Sequence, residues 1–62
     1  MTTLSDLIDT MAQELNKNFA DLGDWQNCWT ILRAHNHSHA EIDACIDEAM
    51  DRAREERMRE AA

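Results

Sequence analysis

Residues 4–22, LSDLIDTMAQELNKNFADL, decide the fold class of this chain. Within them Leu4, Leu7, Ile8, Met11, Leu15, Phe19 and Leu22 recur at three- and four-residue steps. On a helix of about 3.6 residues per turn, those steps gather the apolar side chains into one stripe. The spacing predicts an amphipathic helix over 4–22. Thr3 stands where a hydroxyl can accept from first-turn amides, and Asp6, three residues on, is the acidic half of a capping box. Gly23, the only glycine, follows Leu22 at the place for a left-handed C-terminal residue.

Two shorter patterns come next. Asp24 is placed to cap a second helix over 25–35, with Trp25, Cys28, Trp29 and Leu32 as its stripe. Ile31 lies off that stripe and widens the apolar face. Asn36 and His37 interrupt the pattern. Ser38 and Glu41 then make an S-x-x-E capping box that opens a third helix over 39–58. Ile42, Cys45, Ile46, Ala49, Met50 and Ala53 carry its stripe, until Glu56, Arg57 and Glu60 take the apolar positions. Segment 54–62 is therefore expected as a solvated or frayed helical tail. The fold class that follows is all-α: a single domain over 1–62, built as a small three-helix bundle or an open helical hairpin.

A chain of 62 residues has little interior. Domains of this size bury only about 60% of the surface that the unfolded chain exposes. Trp25 and Trp29 share a turn, one of them is expected in the core, and both cannot be fully buried beside Ile31 in so small a bundle. Surface borrowed from a partner or from a second copy of the chain is the expected remedy, so a homo-oligomer is anticipated. The opening MTTLSDLIDT is acidic and lacks the basic, apolar pattern of a leader, and no stretch approaches a membrane span. A cytoplasmic protein with free thiols at Cys28 and Cys45 is expected, because cysteines on helical apolar faces usually serve as small core residues.

Charge narrows the partners. The net charge is −7, and the first 24 residues carry Lys17 alone against Asp6, Asp9, Glu14, Asp21 and Asp24. Nucleic-acid affinity requires clustered cations to neutralise phosphates, so direct binding to DNA or RNA is disfavoured. On the third helix Asp43, Asp47, Asp51 and Glu55 form a ladder, each four residues from the last. Its rungs stand about 6 Å apart along the axis and drift about 40° per step. That spacing approximates successive phosphates on a nucleic-acid strand, and Glu48 broadens the same surface. The plain alternative is a solvated acidic face, eased by Glu48–Arg52 and Glu55–Arg59 in the favourable i,i+4 order.

Other chemistry is weakly supported. His35, His37 and His39, with Cys28 and Cys45, supply zinc-ligand atoms, but in none of the spacings that structural zinc sites use. Polar residues at a helix junction are the simpler reading, and neither metal nor cofactor is expected. There is no Gly-rich phosphate loop, no Glu-x-x-His pair and no His-Glu-x-x-His. Catalysis is not expected. Residues 33–46, RAHNHSHAEIDACI, resemble the opening of the second helix of a helix-turn-helix, where Ser-x-x-Glu-Ile is frequent. The positions that follow depart from that pattern, and the would-be recognition surface is acidic, so its function is not carried over.

The expected function is that of a small acidic non-enzymatic protein that binds and inhibits or adapts a larger one. Its protein-binding residues would be Asp43, Asp47, Glu48, Asp51 and Glu55, with Trp25, Trp29 and Ile31 as an apolar patch. The sharpest form is a nucleic-acid mimic of the anti-CRISPR or anti-restriction kind, which phages and mobile elements use against host nucleases. That step is an analogy of class, resting on size and acidity. The alternatives are a structural homo-oligomer, paired through the aromatic face of the second helix, and a metal-dependent regulator.

Overall fold

Thr3 begins the first helix as its hydroxyl accepts from the Asp6 amide at 3.1 Å, while the Asp6 carboxylate accepts from the Thr3 amide at 3.4 Å. This reciprocal capping box opens α1, Leu4–Lys17. Asp24 caps α2, Trp25–Ala34, by accepting from the amides of Gln26 and Asn27. Ser38 and Glu41 cap α3, His39–Ala61, with bonds of 3.2 and 3.0 Å. The computed structural model describes residues 3–61; residues 1, 2 and 62 of the expected domain lie outside the described residues. The described chain contains these three helices and no strand.

The first helix is shorter than its apolar stripe. It stops at Lys17 because Phe19 turns left-handed, with φ of 52°. The Phe19 amide donates to the Asn16 carbonyl at 3.2 Å and the Ala20 amide to the Leu15 carbonyl at 2.9 Å. These are the paired bonds of a Schellman motif, and they satisfy carbonyls that the helix end leaves open. The reversal folds Ala20 and Leu22 back into the core while Phe19, expected in the stripe, is 91% exposed. Gly23 is therefore not the left-handed residue: its φ is negative, and its amide donates to the Asp21 carboxylate at 2.9 Å.

The same device ends α2. Asn36 has φ of 68°, its amide donates to the Arg33 carbonyl at 3.0 Å, and the His37 amide reaches the Leu32 carbonyl at 3.3 Å. Asparagine tolerates this conformation; a bulky aromatic pays a steric penalty for it.

Ile8, Met11, Ala12 and Leu15 of α1 close the core with Cys28 and Leu32 of α2 and with Ile42, Cys45, Ile46, Ala49, Met50 and Ala53 of α3. Leu7, Trp29 and Ile31 pack around its edge, and Leu4, at the first turn of α1, is left 60% exposed. Asp9 meets Arg52 and Asn16 meets Arg57, so α1 and α3 advance side by side in one direction. In contrast α2 runs back, with Trp29 against His39 and Leu22, just before α2, against Arg54. The radius of gyration is 10.8 Å, close to the value of about 10.6 Å for a compact chain of this length. The arrangement is a closed bundle and not an open hairpin.

Beyond Ala53 the contact between α1 and α3 turns polar. Asn16 donates to the Ala53 carbonyl at 3.3 Å and to Glu56 at 3.1 Å, and accepts from Arg57 Nε at 2.6 Å.

Phe19 contributes strain and no packing, so Phe19→Gly is expected to stabilise the fold. Relief of the left-handed penalty, less the flexibility glycine adds to the unfolded chain, leaves about 0.5–1 kcal/mol. The urea midpoint should rise with an unchanged slope; a lower midpoint would show that Phe19 packs in solution.

Candidate protein-binding face

Most carboxylates of this acidic chain are occupied by the fold. Asp6 and Asp24 hold helix caps, Asp9 pairs with Arg52, Asp21 accepts from the Gly23 amide, and Glu14 lies 2.8 Å from His37 Nε2. On α3, Glu41 caps its own helix, Asp51 pairs with Arg54 at 3.0 Å, and Glu56 accepts from Asn16. Among the described residues, the carboxylates with neither a hydrogen bond nor a cation within 4.0 Å are Asp43, Asp47, Glu48, Glu55 and Glu60. All five are exposed residues of α3. The first four, with Asp51 between them, are the expected ladder and its flank. Asp47, Asp51 and Glu55 lie on the side of α3 opposite Ile42, Cys45, Ile46 and Ala49, which are buried, with Asp43 and Glu48 on its two flanks.

The arginines explain why that face stays acidic. Arg52 does not ease Glu48, and Arg59 does not ease Glu55: neither i,i+4 pair forms among the described ion pairs. Arg52 reaches across to Asp9 of α1 instead. Arg54 donates to the Leu22 carbonyl at 2.6 Å and Arg57 to Asn16, with a longer bond to the Leu15 carbonyl at 3.5 Å. These guanidinium groups satisfy the carbonyls around the turn after α1. Their charges point at the seam between the helices and away from the ladder, although Arg54 also touches Asp51.

Trp25 and Trp29 stack with ring centroids 5.1 Å apart and planes 28° from parallel. Neither is fully buried: Trp29 leans on the core edge and Trp25 is 49% exposed. The expectation that one of them fills the core is corrected, because Cys28 and Leu32 take the inward positions of α2. Ile31 is not part of the same patch. Two residues beyond Trp29, it lies about 160° round the helix from it, on the other flank of the core. His39 meets the Trp29 ring edge-on, with centroids 5.5 Å apart.

His35 and His37 both approach the Glu14 carboxylate, at 3.9 and 2.8 Å, while His39 stands apart from them. His39 is on Trp29, His37 is on Glu14, and His35 is 3.0 Å from Asn18 Nδ2. Asn18 Nδ2 is a donor, so His35 accepts at Nε2 and carries its proton on Nδ1, the nitrogen 3.9 Å from Glu14. Cys28 is buried and directs its Sγ to the Asp21 carbonyl, and Cys45 is also buried. Burial raises both thiol pKa values; Arg54 and Arg57 pull against it at Cys28, and Glu48 adds to it at Cys45. Among the described residues, no group of three or more His, Cys, Asp or Glu is arranged to hold a metal ion. No described helix is long and apolar enough to cross a membrane.

Sequence reasoning missed Asn16 and Glu14, which organise polar contacts from α1 to α3 and to the turn after α2. An asparagine or glutamate on the flank of a helix is unremarkable by spacing alone, and only the packing supplies its partners. Comparison with known proteins returns no match: no family model, curated protein or solved structure corresponds to this chain.

Two outcomes follow from the buried thiols and the α3 cap. A disulfide reagent at pH 8 should leave Cys28 and Cys45 unmodified in native protein and label both at once in denaturant; rapid native labelling would contradict their burial. Glu41 is held below the usual glutamate pKa by the Ser38 amide, then by its hydroxyl. Because the folded value is the lower one, the cap contributes fully above the ordinary glutamate range and is lost as pH falls through the folded value. Carboxyl NMR should place the Glu41 midpoint below that of Glu41 in the unfolded chain; equal midpoints would show the cap open in solution.

Proposed function

We propose that this chain is a non-enzymatic interaction protein that binds a basic surface of a larger protein through the outer face of α3. The observation that carries the reading is the segregation of charge. Carboxylates of α1 and the following turn are spent on caps, ion pairs and amides, whereas Asp43, Asp47, Glu48 and Glu55 have no such partner among the described residues. Residues 43–55 cover about 18 Å of helix. That length presents a row of negative charge to a cationic groove, and a groove built for phosphates offers the complementary potential.

In its most specific form the protein inhibits a nucleic-acid-binding enzyme by lying where phosphates would lie. The comparison with inhibitors that phages and mobile elements direct against host nucleases is an analogy of class, resting on small size and acidity. A mimic of this kind needs no cofactor and no catalytic group. Its affinity should depend steeply on salt, because exposed charges are screened within about 10 Å at 0.1 M ionic strength.

The test is cleavage by purified restriction and RNA-guided nucleases at low salt, with and without the protein. Wild type is expected to suppress cleavage by at least one of them. Asp47→Lys, Asp51→Lys and Glu55→Lys together should weaken that effect by about tenfold or more, with the helical circular dichroism spectrum unchanged. Inhibition that survives the triple reversal would exclude the outer face of α3 as the binding surface.

A further inference from the structure

The stacked tryptophans border the acidic face, and their position gives the partner a more definite chemistry. Two contacts bracket the α2–α3 seam: Trp29 against His39 at one end, and the Leu22 carbonyl against Arg54 at the other. Since α2 runs opposite to α3, the register between these two contacts puts Trp25, one turn before Trp29, level with the turns of α3 beyond His39 that begin at Asp43. Asp43 follows His39 by one helical turn and drifts about 40° from it toward the outer face. Trp25 is 49% exposed and its stacking on Trp29 holds it against the helix side. An indole face in the open, beside carboxylates that no cation occupies, suits one kind of side chain. A guanidinium is planar, weakly hydrated and permanently charged, so it can stack on an indole while forking its donors onto a carboxylate. An ammonium has the charge without the plane.

We infer that Trp25, supported by Trp29, together with Asp43 and Asp47 forms a docking site for an arginine side chain of the basic partner. This rests on the proposed function above and specifies it: the ladder supplies attraction to any cationic surface, and the indole pair selects arginine over lysine. Charge complementarity commits the site to a basic protein segment. A second copy of a chain of net charge −7, whose arginines 52, 54 and 57 are bonded within its own fold, is a poor occupant.

The chain has two tryptophans and no tyrosine, so its intrinsic fluorescence reports on this site directly. Titration with nona-arginine and nona-lysine peptides at low salt should show both binding, with the tryptophan emission responding strongly to arginine alone. Trp25→Leu keeps an apolar side chain of moderate size at a half-exposed position and removes the indole. It should lower nona-arginine affinity by about twofold to fivefold, the worth of an exposed cation–π contact, and leave nona-lysine affinity unchanged. If Trp25→Leu does not change the arginine-to-lysine ratio, or wild-type emission ignores nona-arginine, the arginine site is overturned. The combined Asp47→Lys, Asp51→Lys and Glu55→Lys variant separates the two readings. Loss of binding to both peptides supports the acidic face whatever Trp25 does, whereas undiminished binding, or none by wild type, overturns the face and the site together.

Discussion

Arg57 donates to Asn16 across the α1–α3 seam at 2.6 Å, and much of the molecule's character depends on that bond and its neighbours. A helix that ends in arginines and glutamates has no apolar reason to stay beside another. Asn16 provides a polar one: its amide nitrogen serves the Ala53 carbonyl and Glu56, and its oxygen accepts from Arg57. Arg54 adds a bond to the Leu22 carbonyl, and Arg52 adds the pair with Asp9. Arg52 and Arg57 are thereby turned toward α1, and Arg54 alone of the three also touches the ladder, at Asp51. One set of contacts therefore docks the distal half of α3 and leaves its far side negative.

The core beneath is thin but close. Ala12, Ala20, Ala49 and Ala53, with Cys28 and Cys45, occupy much of the interior among Met11, Leu15, Leu32 and Ile42. Helix separation follows the size of the side chains at the contact, so small residues bring backbones together where a short chain has few large ones to spend. Close packing also leaves no interior place for two tryptophans. They are pushed to the rim, where the stack of Trp25 on Trp29 covers the α2–α3 seam and keeps an indole at the surface.

The helices, their starts and most of the core were legible in the sequence because each rests on local chemistry. Thr3, Asp24 and Ser38 announce three N-termini with oxygen atoms that can reach first-turn amides. Helix ends were harder. Phe19 continues the stripe by spacing, yet the helix ends at Lys17 and the backbone reverses at Phe19 itself, and the cost of an aromatic at positive φ is outweighed by seating Ala20 and Leu22. Gly23 looked like the natural stop, but it serves a turn around Asp21 with ordinary φ. At the candidate face the exposed ladder could be foreseen from a four-residue period. The pairing of each charge could not. Glu48–Arg52 is a sound local prediction, overridden because Asp9 on α1 offers Arg52 a bond that also joins two helices; Glu55–Arg59 is likewise absent among the described ion pairs.

The fold turns Arg52, Arg54 and Arg57 to the helix seams and so leaves Asp43, Asp47, Glu48 and Glu55 for the proposed cationic partner. The decisive measurement is NMR of the three seam arginine side chains and of the backbone amides of the whole chain during titration with a nona-lysine peptide at low salt. Shift changes are expected to centre on Asp43, Asp47, Glu48, Asp51 and Glu55, with the Nε–H signals of Arg52 and Arg57 unmoved. Shifts spread evenly over Asp6, Asp9 and Asp21, or movement of the Arg57 signal, would show that the charges exchange freely and that no face is set apart.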